Sequence, residues 1–231
     1  MQSSATITDQ WTFIRSDGEM AGLTKAMDWE RHPLGPPATW PASLKIVLGL
    51  VLSSRFPMFV FWGSELYCFY NDAYRPSLGN DGKHPSILGQ PARTAWPEIW
   101  PVIGPLIDQV MAGKGATWSE DQLIPIYRNG RIEDVYWTFS YSPVFDAEGL
   151  IGGVCVTCTE TTGKVQAMQE LRESDRQLKL MIQQAPVAVT ILKGPDHVVE
   201  IANDVALGLL GRTSEQLLGI PVRKGLPELE S

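Results

Sequence analysis

Two stretches of this chain, FYNDAYRPSLG at 69–79 and EIANDVALGLLG at 200–211, each carry an Asn-Asp pair followed seven residues later by Leu-Gly. A second pair extends the echo. LGQPARTAWPEI (88–99) aligns without gaps on LGIPVRKGLPEL (218–229), with the same residue at six of twelve positions. The first pair is offset by 132 residues and the second by 130, which a two-residue insertion between Asn80 and His84 reconciles. Self-similarity of this kind constrains the fold more than any single motif, because each copy must be the same supersecondary unit. The first copy continues for about 60 residues beyond Ile99, to Thr159, whereas the second runs out two residues after Leu229. The second copy is therefore expected to be cut short, without its last three strands.

The fuller copy can be read element by element. Pro41 suits the first turn of a helix, and Leu44, Val47, Leu48, Val51 and Leu52 form one apolar stripe at helical spacing. MFVFW (58–62) and LYCFY (66–70) read as a strand hairpin about Gly63-Ser64-Glu65. Asn71 is expected to cap the short helix that follows, and Asn203 to do the same in the second copy. Ile99, Val102, Ile103, Leu106, Ile107 and Val110 again have helical spacing, with Pro101 and Pro105 implying a late start or a kink near Gly104. Asn129-Gly130 marks a further hairpin. The return strand then places Val135, Trp137, Phe139 and Tyr141 on one face and Tyr136, Thr138, Ser140 and Ser142 on the other. Residues 150–159 form the last strand. Two strands, small helices, a longer helix and three strands make an α+β module, a five-stranded antiparallel sheet with helices on one face. The expected organisation is an N-terminal segment and flanking helix (1–55), the complete module (56–159), a connector helix (160–184) and the partial second module (185–231).

Charge and cysteine content exclude several classes. A net charge of -7 leaves no basic surface for a nucleic acid. Residues 1–13 lack the basic start and apolar run of a secretory signal. The most apolar region, 44–62, is interrupted by Lys45, Ser53, Ser54, Arg55 and Pro57 before it reaches the roughly 20 residues of a membrane span, so a cytoplasmic location is expected. Cys155 and Cys158 form a CxxC on a strand, where residues three apart face opposite sides and cannot share a disulfide or a zinc ion. Glu120, Asp121, Glu133 and Asp134 read as solvated strand-end charges, with residue 120 expected opposite residue 139. They leave no paired nucleophile and base, and no catalytic residue is assigned. The connector ETTGKVQAMQELRESDRQLKLMIQQ (160–184) places Ala167, Leu171, Leu178 and Met181 on a heptad seam broken by Ser174. It reads either as a marginal coiled coil or as a solitary linker helix.

This order of elements, the repeated N-D-x5-L-G, the turn SPVFDAEGLIGG with Pro143, Asp146 and Gly149, and the closing Glu160-Thr161-Thr162 resemble tandem PAS sensor domains of bacterial histidine kinases. Glu160 stands where the family's closing landmark has Asp, and Thr161 where it has Ile. DWERHPLGPPATWP (28–41) is similar to a segment preceding the first such domain in many of these kinases, and GPDHVVEIAND (194–204) to the start of another. The resemblance implies a cytoplasmic input and dimerisation module of a two-component sensor kinase, acting through its connector on a response regulator by way of a phosphorelay. The chain has neither a phosphoacceptor His in a helical Ser-His-Glu setting nor an ATP-binding box, so the kinase activity would belong to a C-terminal part outside it. A small-molecule sensor attached to a cyclase or a transcription regulator is the alternative.

By alignment to the same landmarks, Trp137, Phe139, Tyr141, Val156 and Cys158 line the space between sheet and long helix, which the aromatic rings are expected to fill. No cofactor is assigned. The stretch matching the flavin-thiol motif, NDGKHPSILGQPAR, contains no Cys, and residues 85–115 contain no His for haem. His84 and His197 read as surface residues.

Overall fold

The computed structural model describes residues 10–227, so Leu229 of the second repeat block and the start of the N-terminal segment lie outside the described residues. The chain divides into two compact units, one up to Val165 and one from Gln166.

Unit 1 is built on a five-stranded antiparallel sheet. Its strands are β1 (Met58–Trp62), β2 (Tyr67–Tyr70), β3 (Thr117–Leu123), β6 (Tyr136–Phe145) and β7 (Ile151–Glu160), in the order β2-β1-β7-β6-β3. Between β3 and β6 the chain pinches out a separate small hairpin, β4 (Ile126–Arg128) and β5 (Arg131–Glu133), turning at Asn129-Gly130. The Asn-Gly signal is thus the turn of this hairpin, and the nearest β3–β6 pairs, Gln122–Trp137 and Leu123–Tyr136, keep the register that the turn sets. The ladder between β3 and β6 is interrupted by a bulge that takes up Glu120 and Asp121, so Ser119, not residue 120, stands opposite Phe139.

The expected helical layer is α3 (Ala92–Ala95) and α4 (Trp100–Met111). Helix α4 starts at Trp100, with Pro101 in its first turn and Pro105 accommodated inside. It buries Ile103, Ile107 and Val110. A second layer covers the other face over β1 and β2. It comes from the N-terminal segment, which contains α1 (Glu19–Ala26) and α2 (Ala42–Ser53). Helix α2 buries Leu44, Leu48, Val51 and Leu52. The ring of Phe69 on β2 stacks on Trp29 at 5.4 Å and meets Trp40 edge-on at 5.8 Å. Strand β1 is consequently buried at all five positions, which a strand with one wet face cannot be. Residues 10–55 belong to the same core as the sheet through Ile14, Met20, Trp29 and Trp40.

Unit 2 contains most of α5 (Thr162–Gln184), then the hairpin β8 (Thr190–Lys193) and β9 (Val198–Ala202), then α6 (Asp204–Leu210), α7 (Ser214–Leu217) and α8 (Val222–Gly225). Its core is small and centres on Val199, Leu217 and Leu226.

The two repeated asparagines do the same thing in both units. Asn71 is completely buried. Its amide nitrogen donates to the carbonyls of Val51, Ser54 and Phe56 at 3.1, 3.1 and 2.7 Å, and its Oδ1 accepts from the amides of Met58 and Tyr74, both at 3.1 Å. Asn203 donates to Ile182, Ala185 and Val187 at 3.2, 3.3 and 2.8 Å and accepts from Val189 and Ala206 at 3.0 and 2.9 Å. The four upstream partners recur 131 residues on, and the asparagine with its downstream partner recurs 132 residues on. The extra residue is Glu200, absorbed by the bulge in the β8–β9 ladder. The repeat unit therefore begins with the preceding helix, α2 in one copy and α5 in the other. Capping is only part of the asparagine's role. Asn203 caps α6 as expected, whereas the turn after Asn71 is irregular and its 3-10 helix begins only at Arg75.

Aspartate separates these roles, because it is as good a helix cap as asparagine but has no amide N–H to donate. Asn71→Asp is expected to lower stability by roughly 3 kcal/mol, since it leaves buried carbonyls unpaired beside a charge. The shift of the urea midpoint measures this, and an unchanged midpoint would reduce Asn71 to a cap.

Candidate functional site

Along β6, residues alternate between buried and half-exposed, which turns Trp137, Phe139 and Tyr141 toward α4. From β7, Val156 and Cys158 face the same way. All five line one cavity together with Phe59, Tyr74 and Trp96 and with Ile124 and Ile126 at the base of the small hairpin. Tyr74 lies parallel to Trp137 with ring centres 5.8 Å apart, and Phe59 meets Tyr74 edge-on at 4.0 Å. These rings close most of the space, leaving a cavity of about 50 Å³. That is one third of the roughly 150 Å³ that a benzene-binding apolar cavity offers.

Burial pushes the Tyr74 and Tyr141 phenols upward, with the neighbouring Cys158 adding to the effect. It pushes the Cys158 thiol up to about 12. The cavity wall is therefore uncharged at neutral pH and offers no activated nucleophile. Cys155, expected on the opposite side of the strand, is half-buried where Cys158 is buried, and all three cysteines are unbonded. Among the described residues no group of three or more His, Cys, Asp or Glu could hold a metal ion.

A polar junction lies where the sheet ends and α5 begins. Arg128, at the tip of β4, forks onto Glu160 with Nη1–Oε2 at 2.8 Å and Nη2–Oε1 at 3.1 Å, and its Nε donates to Glu133 at 2.8 Å. Arg128 and Glu133 are only 15% and 18% exposed in their side chains. Just beyond, the Thr161 amide donates to the Tyr136 carbonyl at 2.7 Å, and the Tyr136 amide donates to Thr162 Oγ1 at 3.0 Å. Lys164 in the first turn of α5 reaches Asp121 at 2.8 Å.

The strand-end acids are thus not merely solvated. Glu133 is held at about 2 by Arg128, with Asn129 and Arg131 helping. Asp121 is lowered chiefly by Lys164. The Arg128–Glu160 contact spans 32 residues, and nothing in local spacing announced it. His84 is also misplaced by the surface reading. Its side chain is 13% exposed, with Nδ1 2.9 Å from the Tyr70 hydroxyl and Nε2 3.3 Å from Glu19 of α1.

None of the seam residues of α5 is among those that line the cavity. No residue of α5 is buried, and Leu171, Leu178 and Met181 are 71%, 56% and 69% exposed.

No family model matches the chain, and no curated protein matches it. Solved structures do resemble it. A sensory box sensor histidine kinase from Vibrio cholerae is 17% identical, over 47% of this chain and 83% of that one, with a TM-score of 0.35. The PAS domain of a Colwellia psychrerythraea protein is 13% identical, over 52% and 98%, at 0.40. The PAS domain of BvgS from Bordetella pertussis is 20% identical, over 58% and 97%, at 0.41. Unit 1 has an α+β fold, and its five-stranded antiparallel sheet with helices is the architecture that the resemblance to PAS domains implies.

The ion pairs at the junction give an acid signature. A carboxyl whose folded value is depressed stabilises above its ordinary value, here 4.5, and that contribution disappears as pH falls through about 2. The stability difference between the wild-type chain and Arg128→Gln is expected to be constant above about pH 5 and to shrink from pH 4.5 to 2. Urea midpoints across that range measure it, and a difference that stays flat would rule out the Glu133 pairing.

Proposed function

We propose that this chain is the cytoplasmic signal-input and dimerisation part of a two-component sensor histidine kinase. Unit 1 biases the start of α5, and α5 carries that bias through unit 2 toward a kinase domain outside this chain, which phosphorylates itself and passes the phosphoryl group to a response regulator. The observation that carries this reading is the Arg128 fork. Ile126 touches the cavity, Arg128 lies two residues further on the same strand, and its partner Glu160 stands two residues before α5. A small shift of the hairpin therefore reaches the connector through one short, half-buried ion pair. Coupling of this kind needs only about 1–3 kcal/mol.

The repeat supports a second copy as the partner of α5. The positions of α5 that match the buried Leu44 and Leu48 of α2 at the 131-residue offset are Asp175 and Lys179, which pair with each other at 2.8 Å in water. Helix α5 therefore cannot lie on its own hairpin as α2 does. Its apolar residues Leu171, Leu178 and Met181, with Ala167, suit a parallel helix pair between two chains.

Ligand sensing for a different output is the second reading, favoured by the cavity itself. Its 50 Å³ admits at most a compact molecule without repacking.

Light scattering across a dilution series should find a dimer, and Leu171→Glu with Leu178→Glu should weaken it by at least tenfold, about 1.4 kcal/mol. A chain that stays monomeric at high concentration sinks the dimer reading. Native mass spectrometry that finds a retained small molecule in unit 1 would favour the ligand reading instead.

A further inference from the structure

We infer that the His84 imidazole is a proton-operated clasp on helix α1, gripping its first turn more tightly when charged. Three side chains from the segment after β2 converge on the start of α1. Asp72 Oδ1 accepts from the Met20 amide at 2.9 Å, Arg75 Nε lies 2.9 Å from Glu19 Oε2, and His84 Nε2 lies 3.3 Å from Glu19 Oε1. Glu19 is the first residue of α1, and Met20 beside it is fully buried in the core. A stronger hold on Glu19 is thus a stronger hold of the N-terminal layer on the sheet.

His84 is placed to change partners. Its Nδ1 is 2.9 Å from the hydroxyl of the buried Tyr70. Its Nε2 stands 3.2 Å from Arg75 Nε, a donor, and also faces Glu19 Oε1, an acceptor. A neutral ring has one N–H and one lone pair, so with Nδ1–H on Tyr70 its Nε2 accepts from Arg75. An imidazolium has two N–H groups, and both find an acceptor here, the Tyr70 oxygen and the Glu19 carboxylate. Burial, with Glu19 adding to it, pushes the Tyr70 phenol upward, so it remains a neutral hydroxyl that serves either form. Among the described residues Arg75 is the cation in contact with the ring, because the neighbouring Lys83 turns to the Ala95 carbonyl at 2.6 Å and to Glu98 at 3.1 Å. Arg75 is half exposed and keeps Glu19 Oε2, so solvent screens its charge while His84 takes Oε1. Histidine changes charge between about pH 5 and 8, and proton concentration in that range sets how firmly α1 is held. This clasp concerns unit 1 alone and does not depend on the output that the chain serves.

A double-mutant cycle in the full chain tests it, with Glu19→Gln, His84→Gln and both, unfolded in urea at about pH 8 and about pH 5.5. Tryptophan fluorescence follows unit 1, because all eight tryptophans lie in it. The contribution of the charged pair is present at the lower pH and is lost as pH rises. The coupling between positions 19 and 84 should therefore grow about threefold in the unfolding equilibrium constant from pH 8 to pH 5.5, within what a part-exposed ion pair supplies. Other titrating groups, including His32 with Nε2 2.8 Å from the Gly89 carbonyl, are common to all four chains and cancel. A coupling that is equal at the two pH values, or larger at pH 8, overturns the inference. Glu19 is 46% exposed, so Glu19→Gln should fold even where His84→Gln does not. The gap between the wild type and Glu19→Gln should then widen by the same factor from pH 8 to pH 5.5, and a gap that stays constant or narrows refutes the clasp.

Discussion

Helix α2, the β1–β2 hairpin and the turn that follows it meet at the Asn71 carboxamide, and α5, β8–β9 and α6 meet at that of Asn203. Each side chain has two N–H donors shared among three carbonyls, and one oxygen accepting two amides. All of these groups sit at or near the ends of regular elements, where the helical and sheet ladders stop. Aspartate could cap the following turn but has no N–H, and a serine or threonine hydroxyl has a single donor, whereas the carboxamide offers two N–H donors backward to the helix end and an acceptor forward. The geometry of the hairpin relative to its preceding helix depends on this one group, and it recurs with nearly the same distances in two modules whose surrounding side chains differ.

The consequences of that junction diverge because the helices it holds differ. Helix α2 is apolar on its inner side and lies on the sheet, so β1 becomes buried on both faces and the N-terminal Trp29 and Trp40 join the core around Phe69. Helix α5 carries Asp175 and Lys179 at the matching positions and remains in water. The same bolt therefore seats a packed helix in one unit and an exposed connector in the other.

The proposed function rests on where the polar contacts fall. The cavity wall is aromatic and uncharged and holds no catalytic pair. The charged groups gather instead at the exit of the sheet, around Arg128, Glu133 and Glu160 and, one turn later, Asp121 and Lys164.

The repeat, the strand alternation of β6 and the helical stripes of α2 and α4 were legible in the residues, because period and spacing follow from backbone geometry alone. Alternation showed that Trp137, Phe139 and Tyr141 share a face, whereas their place in the space under the long helix, with Val156 and Cys158, came from the family resemblance. Legibility stopped where partners are far apart in the chain. Arg128 and Glu160 meet across 32 residues, His84 and Glu19 across 65, and Asn71 reaches back 20 residues to Val51. The Asn-Gly turn was legible, but that β4–β5 forms a sheet apart from the five main strands was not, because such a turn suits any antiparallel pairing. The sequence by itself determined that the blocks around Asn71 and Asn203 repeat and that Trp137, Phe139 and Tyr141 share one side of their strand. Tertiary structure alone decided that the repeated asparagine joins helix to hairpin, that the N-terminal segment closes the second face, and that Arg128 ties the cavity's hairpin to the connector. Those contacts depend on which elements are brought together in space, and local periodicity carries no information about that.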